Sequence, residues 1–301
     1  MKRNKIKTTR EDRILDIVIL VILIVIGIVV LYPLWIVFIS SISDPTAISA
    51  GEVWILPKGI NFEAYKLLLA NKEIWIGYRN SLVYTTVTTI LQMIVTTSAA
   101  YALSKKDLPG RKFLILFFLF IMYFSGGMIP TYLVIKNLGM INTPWSLILP
   151  TLLGPYNLIL ARNYFENSIP EEIFDAASID GADSFHSFYR IAIPLAKPVL
   201  AVMVLNFALG SWNNYFNAMI YITDDKLQTL QVAIKNITTQ ATSSLELGST
   251  MTNIEDVIDS IRQTQLLKYA VVVVSAVPMI ILYPFVQKHF VNGIMLGSVK
   301  E

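Results

Sequence analysis

Hydrophobic residues in this chain fall into long unbroken runs, not into the short alternating stripes of strands. A helix needs about 20 apolar residues to cross a hydrocarbon core of roughly 30 Å. Runs of that order predict spans at about 14–40, 76–103, 113–135, 144–163, 197–222 and 268–287. The fourth is interrupted by Pro150, Gly154 and Pro155, so a kinked or broken helix is expected, its freed backbone groups satisfied by neighbouring helices. The predicted fold class is an all-α membrane protein with six transmembrane helices, made of a tail at 1–13 and a single transmembrane domain over 14–301.

The polar segments between the runs set the orientation. Lys2, Arg3, Lys5, Lys7, Arg10 and Arg13 precede the first run, and SKKDLPGRK follows the second. Basic residues beside span ends stay on the cytoplasmic side, and two spans separate these clusters, so the two signals agree. Alternation then places both termini and 164–196 in the cytoplasm, and 41–75, 136–143 and 223–267 outside. The first run exceeds the 7–15 residues of a secretory h-region and continues through Tyr32, Pro33, Leu34 and Trp35, so a retained span is expected, not a signal peptide. In the outer segment 223–267, a Ser/Thr-rich stretch reads as an extended loop. A short helix is expected after it, where Thr252 and Glu255 have capping-box spacing and Ile254, Val257, Ile258 and Ile261 share a face.

Composition agrees with the membrane reading. Hydrophobic residues make up 54% of the 301 positions and charged residues 15%, against about 25% charged in soluble domains. The net charge of +3 gives no reason to expect a nucleic-acid partner. There are no cysteines and only two histidines, His186 and His289, so no metal-ligand cluster is expected. Asp16, Arg79 and Arg162 are scattered near span ends, which argues against an enzyme embedded in the bilayer.

The charged insert from Ser168 to Pro198 differs from everything around it. Ser168 and Glu171 have capping-box spacing, and Pro170 suits a first turn. A helix starting there carries Ile173, Phe174, Ala176, Ala177 and Ile179 among Glu171, Glu172, Asp175 and Asp180. Ala176 and Ala177 leave one side thin for a close-approaching surface. Gly181 permits the turn that ends the helix, and a second helical stretch through Phe185, Phe188, Tyr189 and Ile191 leads to Pro194. On amphipathicity alone this segment packs on its own bundle or lies on lipid.

Spacing points elsewhere. Asp175-Ala176-Ala177, Gly181, Ile191, Ile193 and Pro194 fall on the E-A-A…Gly…Ile-x-Leu-Pro pattern, and the chain resembles the membrane subunits (permeases) of ATP-binding-cassette (ABC) importers. Asp175 stands where Glu is usual and Ile193 where Leu is usual; both keep the chemical type. NSLVYTTVTTILQMIVTTSAAYALSK, GSWNNYFNAMIYI, TLQVAI and FVNGIMLGSVKE further resemble the carbohydrate-uptake permeases of the MalG-like and LplC-like kind. The resemblance implies the type I ABC importer permease fold, with the 168–196 loop as a coupling helix docked in a groove of a cytoplasmic ABC ATPase dimer. Glu171, Glu172, Asp175, Ala176, Ala177, Asp180, Gly181, Ile191 and Pro194 would be its coupling residues. An acidic residue here could pair bidentately with an arginine of the ATPase.

The chain has no G-x-x-x-x-G-K-[ST] loop, so no ATPase site of its own is expected and Mg-ATP would be bound by the partner. The resemblance also implies a second permease subunit, an extracytoplasmic solute-binding protein touching the 223–267 loop, and a tail at 293–301 reaching the ATPase. The setting would be a bacterial plasma membrane. Transport would run by alternating access, ATP closing the ATPase dimer and moving the coupling loops; the alternatives are an importer permease for a non-sugar solute, or a channel or secondary transporter, which would not need the Asp175–Pro194 motif.

For the substrate pathway, Trp212, Asn213, Tyr215, Phe216 and Asn217 are the candidates. Aromatic faces stack on the C–H faces of sugars, and asparagines donate to and accept from hydroxyls. The same residues could instead form an interfacial belt and helix–helix hydrogen bonds. Gln92 and Asn157 read as hydrogen-bonding glue between helices, Asn206 fits either role, and Tyr123, Phe124 and Met128 are expected to pack in the bundle.

Overall fold

A computed structural model describes residues 10–236, 239, 267–284 and 287. Among these residues all regular structure is helical. The chain divides into two compact units, one drawn from residues 1–70 and 237–274, the other from 71–236 and 275–301.

In the first unit, α1 (Arg10–Ser41) is a 32-residue apolar helix, followed by α2 (Pro45–Ser49) and α3 (Glu63–Ala70). The turn after α1 is held by backbone and hydroxyl groups. Ser43 Oγ donates to the Ile39 carbonyl at 2.6 Å, Asp44 N to the Lys58 carbonyl at 2.8 Å and Asn61 N to the Ile42 carbonyl at 2.9 Å. Asp44 caps α2 by accepting from Thr46 N, the ordinary use of a short acceptor at a helix start. Trp35 donates its indole N–H to the Ile55 carbonyl at 2.8 Å.

The second unit is organised on α4 (Lys72–Ser104), which packs mainly against α8 (Pro155–Asn167) and α12 (Lys197–Trp212). Between α4 and α8 lie α5 (Arg111–Tyr123), α6 (Met128–Asn137) and α7 (Trp145–Ile148), with a 3-10 turn at Leu149–Thr151. After α8 come α9 (Glu171–Ile179), α10 (Ser184–His186), a π-helical turn at Ser187–Ala192 and α11 (Ile193–Leu195); α13 (Tyr215–Tyr221) follows α12. The buried face of α4 is unusually polar, carrying Asn80, Ser81, Thr85, Thr88, Gln92, Thr96 and Thr97. Two of these answer the break in the fourth run. Gln92 Nε2 donates to the Thr151 carbonyl at 2.6 Å and Thr96 Oγ1 to the Leu152 carbonyl at 3.4 Å, so a neighbouring helix satisfies carbonyls left open by the break before Pro155.

Near its start, α4 grips the segment after α13. Asn80 Nδ2 donates to the carbonyls of Lys226 (2.8 Å) and Gln228 (3.0 Å), Tyr84 to that of Leu227, and Ser81 Oγ accepts from Leu230 N at 2.9 Å. Gly77 makes the approach possible, since a Cβ there would sit 2.9 Å from Leu230 Cα. Asn142, at φ +60, donates its N–H to the Tyr221 carbonyl and accepts from the N–H groups of Thr223 and Asp224.

The helices differ from the expected spans in two places. Among the described residues three helices are long and apolar enough to cross a membrane alone, Arg10–Ser41, Lys72–Ser104 and Leu267–Pro284. The run expected as one span at 113–135 is two helices bent by 114°, because Gly127 takes φ +86 and the helix stops at Tyr123. The run at 197–222 stops at Trp212, where Asn213 and Asn214 intervene before α13; asparagine side chains compete with helical backbone bonding. Tyr123, Phe124 and Met128, expected inside the bundle, are exposed, because the bend turns that corner away from α4 and α8. The expected helix around 252–261 and the tail at 293–301 lie outside the described residues.

Candidate functional site

The 168–196 segment forms a docked helical loop. Its first turn differs from the expected capping box. Ser168 instead ends α8, its N–H donating to the Tyr164 carbonyl at 2.9 Å, and Pro170 at ψ 136 stands before α9 without a side-chain cap. Glu171 is thereby released to meet Lys106 Nζ at 2.5 Å. Glu171 and Glu172 also lie in the first turn of α9, where the helix dipole favours negative charge.

The end of α9 is a Schellman turn. Gly181 N donates to the Ser178 carbonyl at 3.1 Å and Ala182 N to the Ala177 carbonyl at 2.9 Å, with Gly181 at φ +82. Asp183 then caps α10 by accepting from His186 N at 2.6 Å. Two defined caps therefore turn the chain sharply, and a π turn then leads into α11.

Aromatic packing fastens this loop to α4. Tyr101 meets Phe165 of α8 edge-on (5.8 Å, 83°), Phe174 of α9 (6.0 Å) and Phe188 of the π turn (5.0 Å). Lys105 Nζ sits 3.7 Å from the Phe174 ring centroid and 4.9 Å from that of Tyr101, a cation–π arrangement. Burial holds the Lys105 ammonium below its ordinary pKa, against the pull of Asp107, Glu171 and Asp175. A further tie joins the start of α5 to the end of α8. Arg111 reaches Glu166 at 2.7 Å, and Arg162 pairs with the same carboxylate.

The structure divides the expected coupling residues among three surfaces. Ala177, Asp180, Gly181 and Ile191 line one open notch of about 520 Å³ with Asp183 and His186. Glu171 and Asp175 line a second groove of about 840 Å³ beside Tyr101, Lys105 and Phe174. Glu172 and Ala176 are exposed on α9, and Pro194 is exposed in α11. The most prominent apolar groups are Ile179, 87% exposed, and Phe185, 75% exposed. Acidic rims with protruding apolar side chains suit a protein partner carrying basic and apolar ground.

The fastening residues Tyr101, Lys105, Lys106 and Phe165 do not figure in the sequence reading of this site. Their signal was Tyr101 and Lys105 one turn apart at the end of α4, which spacing alone ties to no partner.

The expected pathway residues are scattered by the break after α12. Trp212 is 3% exposed, donates its indole N–H to the Ser275 carbonyl at 3.1 Å and meets Tyr78 edge-on at 5.8 Å, so its ring is committed to packing. Asn213 and Phe216 are exposed, while Tyr215 and Asn217 are half-buried. Tyr215 donates to Met219 Sδ. Asn206 and Asn157 face each other at 3.3 Å, a hydrogen bond between α12 and α8.

With this geometry in hand, comparison with known proteins gives a consistent result. Residues 74–295 match the family described as the binding-protein-dependent transport system inner membrane component. Protein LplC of Bacillus subtilis (strain 168) is 36% identical over 292 residues, covering 97% of both chains. The polygalacturonan/rhamnogalacturonan transport system permease protein YtcP of the same organism is 33% identical over 294 residues, covering 96% of this chain and 99% of its own. A solved chain of a bacterial ABC transporter involved in the import of the acidic polysaccharide alginate superposes with a TM-score of 0.80 at 35% identity, over 95% of this chain and all of that one. The chain belongs to the family of binding-protein-dependent transport system inner membrane components.

Proposed function

We propose that this chain is one permease subunit of an ATP-driven importer, moving an oligosaccharide handed over by an extracytoplasmic binding protein. It crosses the plasma membrane six times with both termini in the cytoplasm, the broken run at 144–163 serving as the fourth crossing. A second permease completes the pathway, and a cytoplasmic ATPase dimer binds and hydrolyses Mg-ATP. The observation that carries this reading is the 168–196 loop, whose caps and aromatic fastening hold it stiff while Ile179, Phe185 and the acidic residues of α9 stay exposed. Coupling equals the difference in contacts between two states, and a loop held firmly by its own bundle passes a partner's movement on to that bundle. The relatives' carbohydrate names support the substrate class.

In this reading ATP-driven closure of the ATPase pulls the loop. The loop carries α4 through Tyr101, and α4 carries the outer connection through Asn80 and Ser81. Sugar enters the cavity between the two permeases, and hydrolysis resets the bundle. Affinity purification in mild detergent, with mass spectrometry of what accompanies the chain, tests the assembly; a P-loop ATPase and a second permease are expected. Uptake of labelled oligogalacturonides, arabino-oligosaccharides and galacto-oligosaccharides by the reconstituted assembly tests the substrate class. Gly181→Pro, which destroys the Schellman turn, and Asp175→Lys abolish uptake while the protein remains inserted. Wild-type uptake in both variants sinks the coupling role.

A further inference from the structure

We infer that the break between α5 and α6, at Phe124–Gly127, lines the water-filled translocation pathway and presents a contact site for the transported sugar. Its freed backbone donors face hydroxyls, and the rings of Tyr123 and Phe124 face sugar C–H surfaces. This rests on the importer reading above and deepens it.

The break lies at membrane depth. α5 starts beside the turn after α4 and runs along α4 and α8. Its 13 residues advance about 20 Å at 1.5 Å each, so the break falls inside a hydrocarbon core of roughly 30 Å.

At this depth the backbone is not helical. The N–H groups of Ser125 and Gly126 have no acceptor among the described residues, and the N–H of Gly127 reaches only Ser125 Oγ at 3.1 Å. Residues 121–130 are all exposed, and a Cβ on Gly127 would meet nothing within 4 Å. Irregular backbone cannot face lipid, where each unmet polar group costs several kcal/mol; it is tolerated where protein covers it or where it lines a water-filled cavity. Gly126 and Gly127 leave the backbone bare on its open side, which suits a ligand's approach better than packing.

The side chains point to the solute. Tyr123 is 75% exposed, and Phe124 stacks on Phe120 at 4.7 Å and 19°, a flat apolar shelf beside two free amide donors. Apolar rings joined to a few convergent donors are what a sugar ring requires.

The test uses the whole transporter reconstituted in liposomes with its partner subunits. The chain has no cysteine, so Phe124→Cys, Ser125→Cys and, on the apolar α1, Ile22→Cys give reaction sites assignable by mass to this subunit. The probe is the anionic thiol reagent 2-sulfonatoethyl methanethiosulfonate. Phe124→Cys and Ser125→Cys react about ten-fold faster or more than Ile22→Cys, since a thiolate forms only where water reaches, and an imported oligogalacturonide slows them. Equal rates at all three sites overturn the pathway, as when a second permease covers the break. Fast labelling untouched by an imported sugar overturns the contact. As a second readout, Phe124→Ala raises the sugar concentration for half-maximal uptake several-fold while Phe124→Trp restores it; no change in either sinks the shelf. Wild-type transporter that imports no sugar refutes the importer reading, and the labelling contrast still decides whether the break is wet.

Discussion

Gly77→Ala is a sharp test of the contact between α4 and the outer connection. Inside a helix this exchange ordinarily stabilises by about 1 kcal/mol, because glycine carries the larger entropy cost. Here the added Cβ would lie 2.9 Å from Leu230 Cα, 3.0 Å from its N and 3.2 Å from Thr229 C. All three are backbone atoms, and ordinary carbon contacts lie at about 3.5–4.0 Å. The two segments must therefore separate by roughly 0.5–1 Å, an overpacking that costs about 1–3 kcal/mol. The same movement stretches the bonds from Asn80 to Lys226 and Gln228 (2.8 and 3.0 Å) and from Leu230 to Ser81 (2.9 Å), each worth about 1 kcal/mol net. The expected sum is a destabilisation of about 1–3 kcal/mol, read by SDS titration of the purified protein in mixed micelles. Gly210→Ala is the matched control, a helical position where a Cβ meets nothing within 4 Å; it is neutral or mildly stabilising. If Gly77→Ala is as stable as Gly210→Ala, the close approach is not a constraint and the reasoning fails.

Other outcomes rest on the same contacts. Tyr101→Phe is close to neutral in stability and transport, because the Tyr101 hydroxyl is buried without a hydrogen-bond partner. Tyr101→Ala removes the ring shared by Phe165, Phe174 and Phe188 and costs about 3–5 kcal/mol; measured stability near wild type refutes the fastening. The Lys106 hydrogen bond and charge lower the Glu171 pKa below 4.5, and Glu171 raises that of Lys106 above 10.5. The carboxylate's share is present above pH 4.5 and lost as pH falls through the lowered value; the ammonium's is present below pH 10.5 and lost as pH rises through the raised one. The pair's contribution to protecting the α9 loop from limited proteolysis, read as wild type against Glu171→Gln, is therefore constant from about pH 5 to 10 and lost outside it. A step near pH 7 that Glu171→Gln removes contradicts this pair. Gln92→Leu leaves the Thr151 carbonyl unmet at the fourth break and lowers stability by about 1–3 kcal/mol.

Much of this was legible from sequence because two signals were strong. Long apolar runs announced helices, and the Asp175–Pro194 spacing marked the loop before any contact was known. The break in the fourth run was visible for the same reason, since Pro150, Gly154 and Pro155 each remove or misplace a backbone group. Hydropathy averages over a window, however, and cannot see a bend whose flanks remain apolar. Gly126 and Gly127 sit between MYF and MIP, so the 114° turn hid inside an unbroken run. Ser168 and Glu171 had the right spacing for a capping box, but Lys106, far away in sequence, competes for the carboxylate. Trp212 could be assigned neither to pathway nor to packing until Ser275 and Tyr78 were placed beside it.

The unbroken length of α4 makes it a lever. Its 33 residues extend about 50 Å, gripped at one end by the Tyr101 rings and at the other by the Gly77–Asn80 clamp. A tilt of about 5° about one end would carry the other through roughly 4 Å, by the same rise per residue. If the proposed cycle tilts α4 together with the loop it holds, distance probes on Ser104 and Phe185 read a constant value throughout it, and a changing distance refutes the lever.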